Sequence, residues 1–372
     1  MKHLVTGATG HLGANLVRRL LADGHEVRAL VRELGGPDAQ ALDGLDVQRV
    51  RGDVRDLDAM RVATRGVSGV FHTAAKVSTV EGDEQEIYDT NVVGTRNVLK
   101  AAREAGVRRV VVTGSLSAVG HNPDRPCNED DAFYPYGWHL PYARSKAWVE
   151  HECLKAVALG QEVVIAVSCA ILGPNDFFPS RMGGVVKDFA SGTMRAYIPG
   201  GFDFVAASDL CAGHVLAMEK GRVGQRYILS TRFVEVDELM AILERVTGAP
   251  RPSLRLPPAM MAGIAQVSSF VLGTFFPRVP QRFTPAAVRL LQMRRRADTS
   301  RAQSELGYRP TSIEDALREA YEHFVLRGEI KAPRVPVRAR AAVNASAPAK
   351  AHVAVSSASA AQVCPVPHGV QA

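Results

Sequence analysis

Cysteine is scarce in this chain. The five residues present (Cys127, Cys153, Cys169, Cys211 and Cys364) are odd in number, scattered, and form no Cys-x-x-Cys pair. That argues against a disulfide framework and against a zinc site, and it points to a reducing compartment. No charged stretch followed by an apolar run opens the sequence; residues 1–7 read as a buried strand and a turn. A secretory signal is therefore not expected and a cytoplasmic location is. From Pro333 onward acids and aromatics are missing altogether, in a segment rich in Ala, Pro, Val and Ser. Such a tail buries too little apolar surface to offset its ordering entropy, and disorder is expected over 331–372. A basic footprint for nucleic acid is also lacking. The net charge is +7, but four of those charges are Arg334, Arg338, Arg340 and Lys350 in the tail, and +3 on the remainder is ordinary. Internal repeats are absent.

What is present is a regular alternation of short apolar runs and helical patterns. Strands are expected at 3–5, 26–31, 47–51, 69–73, 109–113 and 163–167, with helices at 12–23, 92–105 and 142–159. Val, Ile and Leu fill the strands without alternation, as in a sheet buried on both faces. Strand–helix alternation of this kind makes an α/β fold with a Rossmann-type doubly wound parallel sheet. After Gly173 the regularity fades. Gly and Pro punctuate 174–201, and helices at 207–220, 236–247 and 312–324 with a strand at 226–229 suggest a smaller lobe. The expected organisation is a dinucleotide-binding domain over 1–173, a substrate lobe over 174–330, and the tail. Residues 259–276 are almost entirely apolar between prolines. They suit a helix lining an apolar pocket, with a peripheral membrane contact as the alternative.

The first strand ends in Thr6-Gly7-Ala8-Thr9-Gly10-His11-Leu12-Gly13. Glycines at this spacing between a strand and a helix let the backbone turn tightly and approach a pyrophosphate, which then faces the helix N-terminus. The second strand ends in Arg32, where an NAD site usually places an acid for the ribose 2′-hydroxyl. An arginine pairs instead with a 2′-phosphate, so NADP(H) is favoured over NAD(H). Asp53 and Val54, after the third strand, are placed for the adenine amine and ring. Thr73, Ala74 and Ala75 end the fourth strand with small side chains that let backbone pass close to the cofactor.

Tyr142-Ala143-Arg144-Ser145-Lys146 puts a phenol and an ammonium four residues apart on one helix face. The ammonium favours the phenolate and can also donate to the nicotinamide ribose, so Lys146 belongs to both the catalytic and the cofactor sets. Ser115, beyond the fifth strand, can donate to a substrate oxygen as charge develops on it, with Ser117 and Thr113 as competitors.

With these residues in place, the sequence resembles the extended short-chain dehydrogenase/reductases over about 1–324. The segments TGATGHLG, HTAA, TNVVGTRNVL, TGSLSAVG and YARSK carry the resemblance. LVR after the second strand and DTSRAQSELGYRP before the last helix place it near the dihydroflavonol-4-reductase-like and 3β-hydroxysteroid-dehydrogenase-like branch. The resemblance implies Tyr142 as acid/base, Lys146 as its partner, Ser115 as polariser and Asn91 as the relay asparagine, although helix packing explains Asn91 equally well. It implies a small-molecule substrate, and a homodimer is carried with it. The departure is at Cys169 and Ala170, where relatives carry a turn proline and a hydroxyl residue; Ala170 is retained as a cofactor neighbour. The leading expectation is a carbonyl reductase or alcohol dehydrogenase acting on a fairly apolar substrate. A nucleotide-sugar epimerase or dehydratase, and a non-catalytic NADP-binding regulator, are the alternatives.

Overall fold

The computed structural model describes residues 1–78, 83–134, 140–257 and 285–331. The apolar run at 259–276, the aromatic residues Tyr136 and Trp138, and the tail lie outside the described residues.

Seven strands form the main sheet: β1 (Lys2–Thr6), β2 (Glu26–Val31), β3 (Gln48–Arg51), β4 (Gly69–His72), β5 (Arg109–Ser115), β6 (Glu162–Ser168) and β10 (Arg226–Leu229). Their spatial order is β10-β6-β5-β4-β1-β2-β3, and every pair is parallel. The β-branched runs explain this: Val110, Val111 and Val112 of β5 are all buried, as are Val163 and Val164 of β6, so both faces are covered. On one face lie α2 (Leu57–Thr64), α4 (Gly94–Glu104) and α5 (Pro141–Ala158); on the other lie α1 (His11–Ala22) and α7 (Ala207–Lys220). Val98, Leu99, Val149 and Cys153 fill the first core, and Leu16, Val17, Leu210 and Tyr227 the second. Full burial of an aliphatic side chain of this size contributes about 1.5–3 kcal/mol. Strand order reverses between β1 and β4, the position at which doubly wound sheets open a crevice at their carboxyl ends.

A second layer is built from the three-stranded sheet β11-β9-β7, with β7 (Ala170–Leu172), β9 (Gly201–Ala206) and β11 (Arg232–Glu235), while the short β8 (Ala196–Tyr197) pairs with β12 (Leu254–Arg255). It packs with α6 (Arg181–Ala190), α8 (Val236–Thr247) and a closing helix at Ile313–Leu326 around Phe189, Phe204, Leu243 and Phe324. The strand at 226–229 and the helix at 207–220 belong to the main sheet and not to the lobe that the sequence suggests: β10 pairs with β6, and α7 covers that sheet. Met1–Ala332 is correspondingly one compact unit, without a division at 173. The stretch 174–201 also contains an ordered helix, α6. Its N-cap is Ser180, whose hydroxyl accepts from the Gly183 amide. A cap satisfies an otherwise orphaned donor, which is why a Gly-rich segment is helical here.

Candidate active site

The glycine turn shows what each glycine is for. Gly7 has φ +68°, and a Cβ there would lie 2.6 Å from the Ala74 amide nitrogen. At Gly13 a Cβ would meet the Gly7 carbonyl at 2.1 Å. These two let β1, α1 and the end of β4 close on one another. Gly10 is exposed, with φ −75°, and caps α1 without any side-chain acceptor; the first turn holds no acid. The first amides of α1 are thus left to a ligand, and an anion is favoured there by the helix dipole. This turn fits a dinucleotide pyrophosphate. Thr6 and Thr73 brace it from below: the Thr73 hydroxyl donates to the Thr6 carbonyl at 2.7 Å. Thr9, Ala74 and Ala75 are half-buried beside the turn. His11 and Leu12 face the protein instead, His11 Nε2 against the Gly173 carbonyl at 3.2 Å and Leu12 in the core.

At the far edge, Arg32 is exposed past the end of β2. Asp53 is chelated by Arg55, Nε to Oδ1 at 3.0 Å and Nη2 to Oδ2 at 2.7 Å. Those hydrogen bonds hold its carboxyl below the usual range, and the Arg32 charge adds to the effect. Arg55 was missed by the sequence reading, although its place two residues after Asp53 could have suggested it. Val54 is buried against Gly94, where a Cβ would reach its Cγ2 at 2.7 Å. Ala170 lies in β7 of the three-stranded sheet, paired with Phe204.

The catalytic candidates converge. β5 ends at Ser115, whose Oγ is 2.9 Å from Ser117 Oγ and lies near enough to the Tyr142 phenol to act on its ionisation. Pro141 opens α5 at a position where a missing amide costs nothing, so Tyr142 sits in the first turn. One turn on, Lys146 is buried and donates to the Thr113 carbonyl at 2.8 Å. Burial raises the Tyr142 phenol above its ordinary value, and Ser115 opposes this. Burial lowers the Lys146 ammonium to about 8. Burial, more than mutual attraction, therefore dominates the ionisation of both groups.

Asn91 is fully engaged. It lies in a π-helical turn, Asp89–Val93, that follows the short helix α3 (Glu84–Tyr88) and leads into α4. Its Oδ1 accepts from the Lys76 amide at 2.7 Å, and its Nδ2 donates to the Lys76 carbonyl at 3.0 Å and to Ser145 Oγ at 2.9 Å. It ties the loop after β4 to α5. Two buried histidines extend the scaffold. His72 bridges Thr6 Oγ1 at 2.7 Å and Thr95 Oγ1 at 2.9 Å. His214 bridges Thr113 Oγ1 at 2.9 Å and the Leu210 carbonyl at 2.8 Å. Burial lowers them to about 3 and about 4, so both are neutral. His72 stands in the HTAA segment quoted from the sequence; His214 carried no signal beyond its type. A cavity of about 670 Å³, lined among others by Arg144, Trp148, Glu150 and Arg226, lies between α5 and the β10 edge, away from Ser115 and Tyr142. Among the described residues, no cluster of His, Cys, Asp or Glu is arranged to hold a metal, and no helix is long and apolar enough to cross a membrane.

Residues 3–230 match the NAD dependent epimerase/dehydratase family. The chain belongs to that family. Within this epimerase/dehydratase family it falls among the extended short-chain dehydrogenase/reductases, with dihydroflavonol-4-reductase-like and 3β-hydroxysteroid-dehydrogenase-like relatives. It is 47% identical over 330 residues to "Sterol demethylase protein B" of Methylococcus capsulatus, covering 89% of this chain and 100% of that one. It is 30% identical over 299 residues to the Arabidopsis thaliana "3beta-hydroxysteroid-dehydrogenase/decarboxylase isoform 2", covering 75% of this chain and 52% of the relative. The crystal structure of gox2253 superposes with a TM-score of 0.77 at 31% identity, covering 88% of this chain and 99% of that one. Like its relatives, this member of the epimerase/dehydratase family is an enzyme, an NAD(P)-dependent oxidoreductase acting on hydroxyl and keto groups.

Proposed function

We propose that this enzyme interconverts a sterol-like secondary alcohol and its ketone with NADP(H), using Tyr142 as the acid/base. The observation that carries the reading is the placement of Tyr142 and buried Lys146 one turn apart on α5, with Lys146 tied to the Thr113 carbonyl and Ser115 at the end of the same strand. When bound, the nicotinamide supplies or accepts the hydride. Ser115 donates to the substrate oxygen, Tyr142 takes or gives its proton, and Lys146 stabilises the phenolate from the same helix face. Two guanidinium groups, Arg32 and Arg55, flank Asp53, the residue expected at the adenine, and their positive charge beside the adenosine favours a 2′-phosphate. The sterol assignment rests on the name of the Methylococcus relative, matched along its full length. Oxidising an alcohol beside a carboxylated carbon gives a β-keto acid, which loses carbon dioxide readily. Removal of a carbon and oxidation of an alcohol thus follow from one active-site step.

The test is to incubate purified protein with NADP⁺ or NAD⁺ and a 3-hydroxysterol, with and without a neighbouring carboxylate, and in reverse with NADPH and 3-ketosterols. Nicotinamide absorbance and product mass are followed, with UDP-sugars alongside. Turnover of sterols with NADP(H) supports the reading. Conversion of UDP-sugars without sterol turnover overturns it in favour of an epimerase.

A further inference from the structure

Four residues beyond Lys146 on α5 stands Glu150. Tyr142, Lys146 and Glu150 therefore follow one another along one helix face, one turn apart. Glu150 is mostly enclosed, and its two carboxylate oxygens are treated differently. Oε2 accepts from Arg226 Nη1 at 2.7 Å, whereas Oε1 is buried with no hydrogen-bond partner. Arg226 is itself fixed from β10, its Nε donating to the Glu129 carbonyl at 2.8 Å and its Nη2 to the Asp131 carbonyl at 3.0 Å. An unpartnered buried carboxylate oxygen is costly, and glutamine or leucine would fill the same space without a charge. Glu150 stands one turn from Lys146 on the same face of α5, where its charge opposes the loss of the lysine's proton that burial favours.

We propose that Glu150 is a positioning residue for the reaction, its carboxylate tethered by Arg226 one helical turn from Lys146, which it keeps in the ammonium form. The proposal rests on the reading of Tyr142 and Lys146 as the acid/base pair. The geometry explains a need that the rest of the site leaves open. Lys146 is surrounded by neutral groups, namely the Thr113 carbonyl and the neutral His72 and His214, and burial drives it toward the uncharged amine. The Cys153 thiol, two turns along the same helix, is pushed far above its ordinary value by burial and supplies no negative charge. Asn91, spent on Lys76 and Ser145, has no free group to offer the ammonium. Facing Glu150 are Lys146 and Cys153 on its own helix and Arg226 on β10, while Glu129, Asp130, Arg144, His151 and Arg301 line the neighbouring cavity. Two acids, Cys153 and Glu150, act on Lys146; with the thiol neutral, Glu150 is the carboxylate that does so.

The test reads Lys146 directly. Full-length protein is labelled with [13Cε]lysine, and the Lys146 resonance is identified by its loss in Lys146→Arg. Glu150→Gln keeps the shape and removes the charge. Its Lys146 titration midpoint should fall by about one pH unit, a tenfold change in the amine's proton affinity. The alkaline limb of kcat should move down with it while KM stays within about twofold. An unchanged or higher midpoint overturns the proposal. If the glutamine variant does not fold by circular dichroism, Glu150→Asp carries the same titration. Drawing the charge back by one methylene should lower the midpoint by a few tenths of a unit, roughly as the Coulomb term falls with distance, and no fall overturns the proposal. The titration needs no turnover, so a protein inactive on every sterol offered would defeat the functional reading while Glu150 is still decided.

Discussion

Lys146 donates its ammonium hydrogen to the carbonyl of Thr113, and the hydroxyl of that same Thr113 is held by His214. One residue of β5 thus joins the catalytic helix α5 to α7 on the opposite face of the sheet. The position of the Tyr142–Lys146 pair is fixed from both layers of the fold, which is how a helix start can hold a reactive phenol against Ser115.

Tyr142→Phe should abolish turnover and leave NADPH binding unchanged. The substitution removes the proton-transferring oxygen but no carbon atom of the ring. A loss of at least about 10²–10⁴-fold in kcat is expected for a group of this kind. Steady-state kinetics with fluorescence titration of the cofactor checks it; near wild-type turnover would place the acid/base elsewhere.

Arg32→Asp should move cofactor preference from NADPH toward NADH. A charge-assisted contact with the 2′-phosphate is worth roughly 1.5–3 kcal/mol, so the ratio of the two kcat/KM values should shift at least about tenfold. Arg55, tied to Asp53, should matter less for this ratio than Arg32. An unchanged ratio removes Arg32 as the discriminator.

The doubly wound sheet was legible because β5 and β6 carry continuous β-branched runs buried on both faces, and shorter apolar runs alternating with helical patterns mark the other strands. Tyr142, Lys146 and Ser115 were legible because the helix spacing and the strand end fix their places with little help from distant sequence. The role of β10 was not legible. Arg226–Leu229 is as apolar as any lobe strand, and only its register against Ile165–Ser168 assigns it to the main sheet. Asn91 was read with two meanings, and the structure supplies contacts that serve packing: its amide replaces backbone partners that the π-helical turn and the loop at Lys76 would otherwise lack. Glu150 was overlooked because a glutamate in mid-helix usually faces water, and its enclosure depends on Arg226 arriving from a strand 76 residues away.

Asn91→Asp should therefore be more informative than Asn91→Ala. Aspartate can still accept from the Lys76 amide but cannot donate to the Lys76 carbonyl. Leaving one buried partner unsatisfied costs about 1–3 kcal/mol, seen as a lower denaturation midpoint. If Asn91 serves packing, kcat should change little among molecules that remain folded. A large fall in kcat without a fall in stability would instead make Asn91 part of the chemistry.

Stability should decline on the acid side of pH 6.5. His72 and His214 are neutral in the fold, with values of about 3 and about 4 against an ordinary 6.5. Between those limits the unfolded chain binds protons that the folded chain refuses. The stability these groups contribute is complete above pH 6.5 and is lost as pH falls toward their folded values. Each accounts for a loss on the order of a few kcal/mol over that window. Urea denaturation from pH 7 to pH 5 should show the decline, and His214→Gln should make it shallower while lowering stability at pH 7. A pH-independent midpoint would mean that the histidines are not buried as described.

Gly10 separates the needs of the fold from those of the cofactor. Gly7 and Gly13 are required by the protein itself, since a Cβ at either would overlap neighbouring backbone; Gly7→Ala and Gly13→Ala should both fold poorly. Gly10 has a backbone angle, φ −75°, that any residue adopts, and a Cβ there would meet nothing closer than the Gly7 carbonyl at 3.4 Å. Nothing inside the chain demands glycine at this place. The demand comes from outside, from a phosphate that must come up against the exposed backbone at the start of α1. Gly10→Ala should accordingly keep its melting temperature, with stability changed by no more than about 0.5–1 kcal/mol, because an ordinary φ carries no strain. Its Kd for both NADPH and NADP⁺ should rise about tenfold or more, as a methyl group displaces a phosphate contact worth about 1.5–3 kcal/mol. Calorimetric melting beside fluorescence titration measures the two effects on one sample. A variant that melts and binds like the wild type would show that the dinucleotide does not approach this turn, and would withdraw the cofactor site from the N-terminus of α1.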